Sequence, residues 1–407
     1  MLEGADNKNI RQDSSSGLSG SRNALVYLVC QSLSLLGDTM LTLALSVWVK
    51  SLTGSNSLAG LTIFFSTIPI VVAPLAGVVV DRFRRRPMLI IFNCVAAIVI
   101  LPLLMVKTEN QLWVIYFTMV AYGCVALVQS TAQAAFVPSL VRGNSISRFN
   151  SALIFLRNVI RLFGPPLGAI VLAIAGKNIL VIADSLSFLV AASGICFIPI
   201  AEGKPDKSER PKEALVAGFH YLRFARSLRD VIVAVALGLA IIGLVETVNF
   251  SLIAGLHLRT EYVAVLLSAQ GIGAISVAPF MPAALRHKSE NLVVSSGLAV
   301  CALGSAILLI PTLFTAIVGS AILGAGVTAI TVASNTFLQR STPKHLLGRV
   351  DSAASAALTI PYTFFIGFGA VLVGLVDFRF LVVAMVAIMI SGSLWLRWRS
   401  SRNNSWA

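Results

Sequence analysis

The chain has 407 residues, of which 57% are hydrophobic and 12% charged, with a formal net charge of +14 and a mean hydropathy of +0.88. A soluble domain is nearer a quarter charged, so this composition excludes a soluble globular fold. The excess of positive charge is not a nucleic-acid footprint either, because the basic residues alternate in position with long apolar runs.

A helix needs about 20 apolar residues to cross the hydrocarbon core of a bilayer. Twelve runs meet that requirement, at 23–49, 57–80, 87–106, 112–136, 150–174, 179–200, 231–254, 262–285, 291–309, 313–338, 350–374 and 379–397. The expected fold is therefore an all-α membrane protein of twelve transmembrane helices in two six-helix bundles. Residues 1–22 are polar, rich in Ser and Gly, and lack the apolar core of a signal peptide. They are expected to be a disordered cytoplasmic tail, as is the segment 398–407 at the other end.

The 31 Lys and Arg residues distribute unevenly. Lys50, Lys107, Lys177, Arg259 and Arg379 fall in one set of gaps, and Arg157 and Arg161 lie inside the fifth span. All the others fall in the alternate gaps and the tails. By the positive-inside rule, that asymmetry places both termini in the cytoplasm of a multi-pass protein of the cell (inner) membrane. Trp48, Trp113, Trp395 and Trp398 stand at span ends, where they suit interfacial anchoring. Cys30, Cys94, Cys124, Cys196 and Cys301 all lie within spans without a C-x-x-C pair, and read as small buried apolar residues.

The longest polar gap, 201–230, divides the chain into an N-terminal bundle at 23–200 and a C-terminal bundle at 231–397. Within it, 212–228 can form an amphipathic helix with Leu215, Phe219, Leu222 and Phe224 near one side and Lys212, Arg223 and Arg226 off it. Such a helix suits the inner leaflet of the lipid bilayer. The two halves also resemble each other at one offset of 201 residues: Gly123 with Gly324, Phe136 with Phe337, Arg148 with Arg349, Phe163 with Phe364, and Gly168-Ala169 with Gly369-Ala370. Repeated halves with a site between them near the midplane mark secondary transporters.

The gap between the second and third spans reads Gly77-Val-Val-Val-Asp81-Arg82-Phe83-Arg84-Arg85-Arg86-Pro87. This closely resembles the Gly-x-x-x-Asp-Arg-x-Gly-Arg-Arg loop of the major facilitator superfamily, with Arg84 where that pattern has its second Gly. Gly37-Asp38, Leu52-Thr53-Gly54-Ser55, the Gly164-Pro165-Pro166-Leu167-Gly168 run of the fifth span and Gln339, Pro343, Gly348 and Arg349 extend the match. Together they resemble the drug-efflux branch that contains macrolide efflux proteins and the enterobactin exporter. The resemblance implies alternating access, gating by a loop that includes Gly77, Asp81, Arg82, Arg85 and Arg86, and a monomeric exporter of drug-like or metabolite molecules working by proton antiport. Gly164, Pro165 and Gly168 match part of the superfamily's antiporter motif, but Ile160 and Ala169 replace two of its glycines. The fourth span lacks the Arg that many proton-coupled drug exporters carry.

Ionisable groups at membrane depth usually face a cavity or a partner. Asp38 and Glu246 lie at matching depths in the first spans of the two halves and are candidate proton-coupling or cation-binding acids. Arg161 lies too deep to reach the interface and needs a counter-ion. Asp38 is the first candidate for that, and Asp184 in the sixth span the second. Gln129, Gln133, Asn249, Gln270 and Asn335 are candidate linings of a substrate cavity, each with an interhelical hydrogen bond as the alternative. Phe64, Phe65, Tyr122 and Phe250 are candidate walls. No Walker A sequence and no H-E-x-x-H pair occurs. No metal or other cofactor is implied, and an ATP-driven pump or an intramembrane enzyme is disfavoured. The expected partners are a small-molecule substrate, protons and the bilayer. Within transport, a dedicated siderophore or metabolite exporter is the alternative. A non-transporting receptor on the same scaffold would have no use for the acids at mid-span.

The topology is testable by single cysteines at Ser208→Cys, in the linker, and Asn110→Cys, between the third and fourth spans. An impermeant thiol reagent should label them from opposite faces of the membrane. Labelling of both from one face would break the twelve-helix reading.

Overall fold

The computed structural model describes the backbone of residues 3–73, 83–140, 145–198, 211–343 and 346–404, and it is helical throughout apart from short turns and caps. The first helix, α1 (Glu3–Thr53), runs back through the polar stretch that the sequence suggested was disordered. No proline interrupts that stretch, and extending a helix costs far less than nucleating one. Next come α2 (Asn56–Thr67), α3 (Arg85–Val99) and α4 (Leu112–Leu140).

Three apolar runs contain a proline near one end and tighten there into 3-10 turns, at Ile68–Val72, Leu101–Met105 and Ala278–Phe280. Proline brings no backbone N–H and so sits at no cost at the start of such a turn. The fourth span is entered through a capping box, in which Gln111 Oε1 accepts from the backbone N–H of Lys107 at 2.8 Å and of Thr108 at 3.3 Å.

The fifth and sixth spans form one helical element, Ser145–Cys196, broken at Gly176, whose φ of 75° lies in the left-handed region open to glycine. Its arms are α5 (145–175) and α6 (177–196). Immediately after the break, Lys177 Nζ donates to the carbonyls of Leu103 and Val106 and lies 4.0 Å from the centroid of the Trp48 ring. The start of α6 is thereby pinned to the ends of α3 and α1.

The linker helix α7 (Pro211–Phe224) precedes α8 (Arg226–Gly255), α9 (Val263–Val277), α10 (Met281–His287), α11 (Glu290–Ile307), α12 (Leu313–Ser341), α13 (Leu347–Leu375) and α14 (Phe378–Asn404). The face of α7 that packs differs from the one expected. Gly218 meets the Arg349 carbonyl, Tyr221 donates to the Ser341 carbonyl at 3.0 Å, and Leu222 is buried among Val350, Ala353 and Ala354. Val216, Phe219 and Phe224 stay exposed beside Arg223. The end of α12 and the start of α13 offer this helix a second surface that its own pattern does not reveal. Of the cysteines, Cys301 is buried, whereas Cys124 and Cys196 are exposed on the bundle surface. In a membrane that surface is apolar too, so a small apolar residue loses nothing by facing it.

Within each half the helices pack by close backbone approach. A side chain at Gly123 would strike the Ser66 carbonyl and Pro69 of the second span, and one at Gly324 would strike the backbone of Gln270 in the eighth. Pro69 and Gln270 keep the same offset as the two glycines, so the repeat seen in sequence is a repeated helix crossing. Small residues at such crossings let membrane helices gain dispersion contacts where no hydrophobic effect drives them together.

Between the halves, α2 packs on α13 and α8, and the Ser145–Cys196 element packs on α9. Leu43, Val47 and Ala59 of the first half join the apolar core of the second. Among the described residues, the side-chain hydrogen bonds that cross between halves gather toward one end. Lys50 Nζ donates to the Phe250 carbonyl at 3.2 Å, Asn56 Nδ2 to Ser251 Oγ at 3.0 Å, and Ser57 Oγ to the Ala370 carbonyl. A fourth, from Ser268 Oγ to the Leu162 carbonyl at 3.0 Å, lies midway along α5.

The substitution Gly324→Val should force α12 away from α9. Overpacking of this kind costs about 1–3 kcal/mol, read as a lower thermal midpoint of the purified protein in detergent. Gly348→Val is the control, because open space surrounds Gly348. Equal midpoints for the two variants would remove the close-packing argument.

Candidate functional site

A cavity of about 380 Å3 lies between the halves, with walls from α1, α2, α4, α5, α8, α9 and α13. Its charged residues are Asp38, Arg161 and Glu246. Thr39, Thr42, Ser66, Tyr122, Tyr362 and Gln270 add uncharged polar groups, and Leu43, Ile63, Ala126 and Leu267 add apolar wall. A mostly apolar space with a few convergent polar groups is what a small-molecule site requires, and the volume lies within the usual range for one.

Each half contributes one half-buried carboxylate held by a tyrosine. In the first half, Tyr122 of α4 donates its hydroxyl to Asp38 Oδ1. In the second, Tyr362 of α13 donates to Glu246 Oε1 at 3.4 Å. Tyr122 also packs edge-on to Phe188, with the centroids 6.0 Å apart, which fixes its ring.

Arg161 does not take the partner that sequence suggested. Among the described residues it forms no ion pair with Asp38 or Asp184; its charge is felt across the cavity by Glu246 and Tyr362 of the other half. Asp38 is engaged by Tyr122 instead. Asp184 is buried behind Asp38, outside the cavity wall, and its carboxylate rests against the backbone of Gly37. The Gly-Asp pair of the first span thus has a steric reason: any Cβ at residue 37 would collide with Asp184 Oδ1.

Of the amides expected in the cavity, Gln270 lines it. Gln129 and Gln133 are buried in the first half, Asn249 is fully buried in the second, and Asn335 is on an exposed face, so these four do not line it. Asn249 has no hydrogen-bond partner for either side-chain atom, and Gln129 Nε2 also lacks one. Phe64 lies against Gly367, and Phe65 stacks near Tyr116 at 4.8 Å, so both serve packing.

The fifth-span motif borders the cavity. Pro165 lines it, Gly164 meets Thr39, and Gly168 meets the Met40 backbone. These two glycines let α5 lie directly on α1 beside Asp38. Of the loop residues, Gly77, Asp81 and Arg82 lie outside the described residues. Arg85 and Arg86 open α3, and Arg86 donates to the carbonyls of Ile195 at 3.3 Å and Cys196 at 2.6 Å, which closes the C-terminal end of α6. Tyr362 was missed in the sequence. Its signal was position: it stands in the middle of a span, whereas membrane tyrosines concentrate at the interfaces.

Known proteins share this architecture. The crystal structure of a bacterial homologue of the iron transporter ferroportin, in an inward-facing state, superposes with a TM-score of 0.71 at 14% identity, covering 92% of this chain and 98% of that one. The POT family transporter PepTSo superposes with a TM-score of 0.74 at 12% identity, covering 94% of this chain and 98% of that one. In sequence, the chain is 23% identical over 344 residues to the enterobactin exporter EntS of Citrobacter koseri, covering 81% of this chain and 79% of the relative. The family profile of the Major Facilitator Superfamily matches residues 27–350. With its long apolar helices and its cavity between two halves, this chain is a multi-pass membrane transporter that belongs to the major facilitator superfamily.

Proposed function

We propose that the chain exports an amphipathic or cationic small molecule across the cytoplasmic membrane in exchange for protons, by alternating access. The observation that carries this reading is the cavity, where acids from both halves and one arginine meet at membrane depth. Groups of that kind are costly to keep there without a task. The apolar wall suits the body of an amphipathic molecule. Glu246, set against Arg161, suits a charged group that arrives with it.

The basic gaps put the Lys50 end of the bundle outside. The inter-half hydrogen bonds of Lys50, Asn56 and Ser57 then close the outer side, and the cavity is offered to the cytoplasm, as an exporter needs for loading. A dedicated siderophore or metabolite exporter is the second reading, favoured by the relative named as an enterobactin exporter.

Two measurements test the proposal. In everted vesicles with an imposed proton gradient, the wild-type protein should accumulate ethidium, used as an amphipathic cation, or an iron-free catecholate siderophore under the second reading. Asp38→Asn at equal expression should reduce uphill accumulation at least tenfold while leaving binding detectable. Accumulation by Asp38→Asn equal to wild type would remove Asp38 from coupling, and a wild-type protein that moves neither probe would sink both readings.

The electrostatics make a second prediction. Glu246→Gln should weaken ethidium binding to the purified protein by about tenfold, equivalent to about 1.4 kcal/mol. Arg161→Gln removes a like charge and should tighten it. Each variant is compared at its own folded fraction, so that lost stability is not read as a change of affinity. A change in the same direction for both variants would contradict the assignment of Arg161 and Glu246 as an opposed pair at the cation site.

A further inference from the structure

We infer that Asp38 and Asp184 act as one unit, a carboxylate pair that always keeps a proton between its two members and exchanges one further proton per cycle. The inference rests on the exporter reading and goes deeper into it, by separating the proton site in the first half from the charge-reading pair Arg161–Glu246 between the halves.

Three observations carry it. First, the two carboxylates are neighbours: Asp184 lies against the Gly37 backbone, one residue before Asp38, and the two acids interact electrostatically. Second, Asp184 is 1% exposed, and its Oδ2 is buried with no hydrogen-bond partner, while Oδ1 receives only a 3.4 Å contact from Ser187 Oγ. A carboxylate oxygen buried without a donor is costly as an anion and satisfied as a hydroxyl. Third, Tyr122 from a third helix donates to Asp38 Oδ1 and interacts with Asp184 too, so both acids face one phenol.

The surrounding charges do not neutralise the pair. Among the described residues, neither acid forms an ion pair. Arg161 shares the cavity with both Asp38 and Glu246 and forms no ion pair with Asp38. Arg157, one turn earlier on α5, acts on Tyr27, and Arg86 of α3 is engaged by carbonyls at the end of α6. Two like charges in such a place do not ionise together at working pH, so through the cycle the pair carries a charge of −1 or 0 and reaches −2 only at a pH well above it.

The path of the proton follows. Asp38 lines the cavity and Asp184 does not. The retained proton stays on Asp184 Oδ2, so the negative charge of the pair lies on Asp38. A proton from hydronium in the cavity water forms an O–H bond on the Asp38 carboxylate, leaves a water molecule behind, and takes the pair from −1 to 0. Release runs the same steps in reverse. The exchanged charge is one proton, and it appears at the cavity wall only on Asp38.

The test is a pH titration of the carboxylic C=O stretch by infrared difference spectroscopy on the purified protein in lipid nanodiscs, with variant spectra subtracted from wild type to isolate these two groups. Interacting sites titrate as a pair in two separated steps. Asp38→Asn and Asp184→Asn should each collapse the two steps into one that falls between them. If either variant removes one step and leaves the other where it was in wild type, the acids are independent and the inference is overturned. Should an asparagine variant not fold, Tyr122→Phe serves, because loss of the shared phenol should move both steps; movement of one step alone, or of none, would equally overturn it. This result is separable from the exporter reading: independent acids with intact proton-driven accumulation would sink the pair alone, and two coupled steps without accumulation would sink the exporter alone.

Discussion

The constraint on which this structure turns is the cost of placing ionisable side chains at membrane depth. Asp38, Arg161, Asp184 and Glu246 all stand within spans, where water is scarce and an unsatisfied charge costs several kcal/mol. The fold meets that cost locally rather than by a central ion pair. Each half supplies its own phenol, Tyr122 for Asp38 and Tyr362 for Glu246. Arg161 stands in the same cavity as Glu246 of the opposite half, whose carboxylate feels its charge. Every one of these assignments depends on helices approaching closely enough for side chains of modest reach to meet. The glycines at 37, 123, 164, 168 and 324 secure that approach.

Three of these glycines, at 123, 168 and 324, also carry the repeat seen in the sequence. A lipid-facing leucine can become a valine or phenylalanine with little consequence. A glycine under a neighbouring carbonyl cannot become anything larger without moving a helix. Gly123 and Gly324 sit at equivalent crossings, of α4 on the second span and of α12 on the eighth. Gly168 and Gly369 each rest on the first helix of their own half, against Met40 and against Leu244 and Thr247 respectively. The matches that hold the register of 201 residues therefore include the contacts that build each bundle.

This also sets what could be read from the chain. The spans were legible because a bilayer fixes their length. The depth of Asp38, Glu246 and Arg161 was legible from their distance along each span. Their direction was not. In water, an amphipathic pattern tells which face of a helix is buried. In a bilayer, both the lipid side and the protein side are apolar, so the azimuth of a lone polar residue leaves almost no trace. Gln129 and Gln133, one turn apart, looked like a cavity wall and are buried inside the first half, whereas Gln270, with no such pattern around it, reaches the cavity. Arg161 forms no ion pair with Asp38 among the described residues and shares its cavity with Glu246 of the other half, and depth alone ranks these two acids equally.

The place of Arg161 beside an inter-half contact has a mechanical consequence. Its neighbour Leu162 accepts a hydrogen bond from Ser268 and lies under Gly271 of α9, so the two halves touch next to the arginine. The hydrogen bond of Lys50 lies 11 residues beyond Thr39 of the cavity wall, roughly 16 Å away along α1 at 1.5 Å per residue. In a rigid rocking of one half on the other, as transporters with repeated halves perform, displacement grows with distance from the contact that stays. The bonds of Lys50, Asn56 and Ser57 then separate while Arg161 and Glu246 move little. Under the proposed alternating access, Arg161 and Glu246 near the fulcrum keep their spacing, and the polar bonds placed far from it, each worth only about 0.5–1.5 kcal/mol, are the ones cheap enough to break.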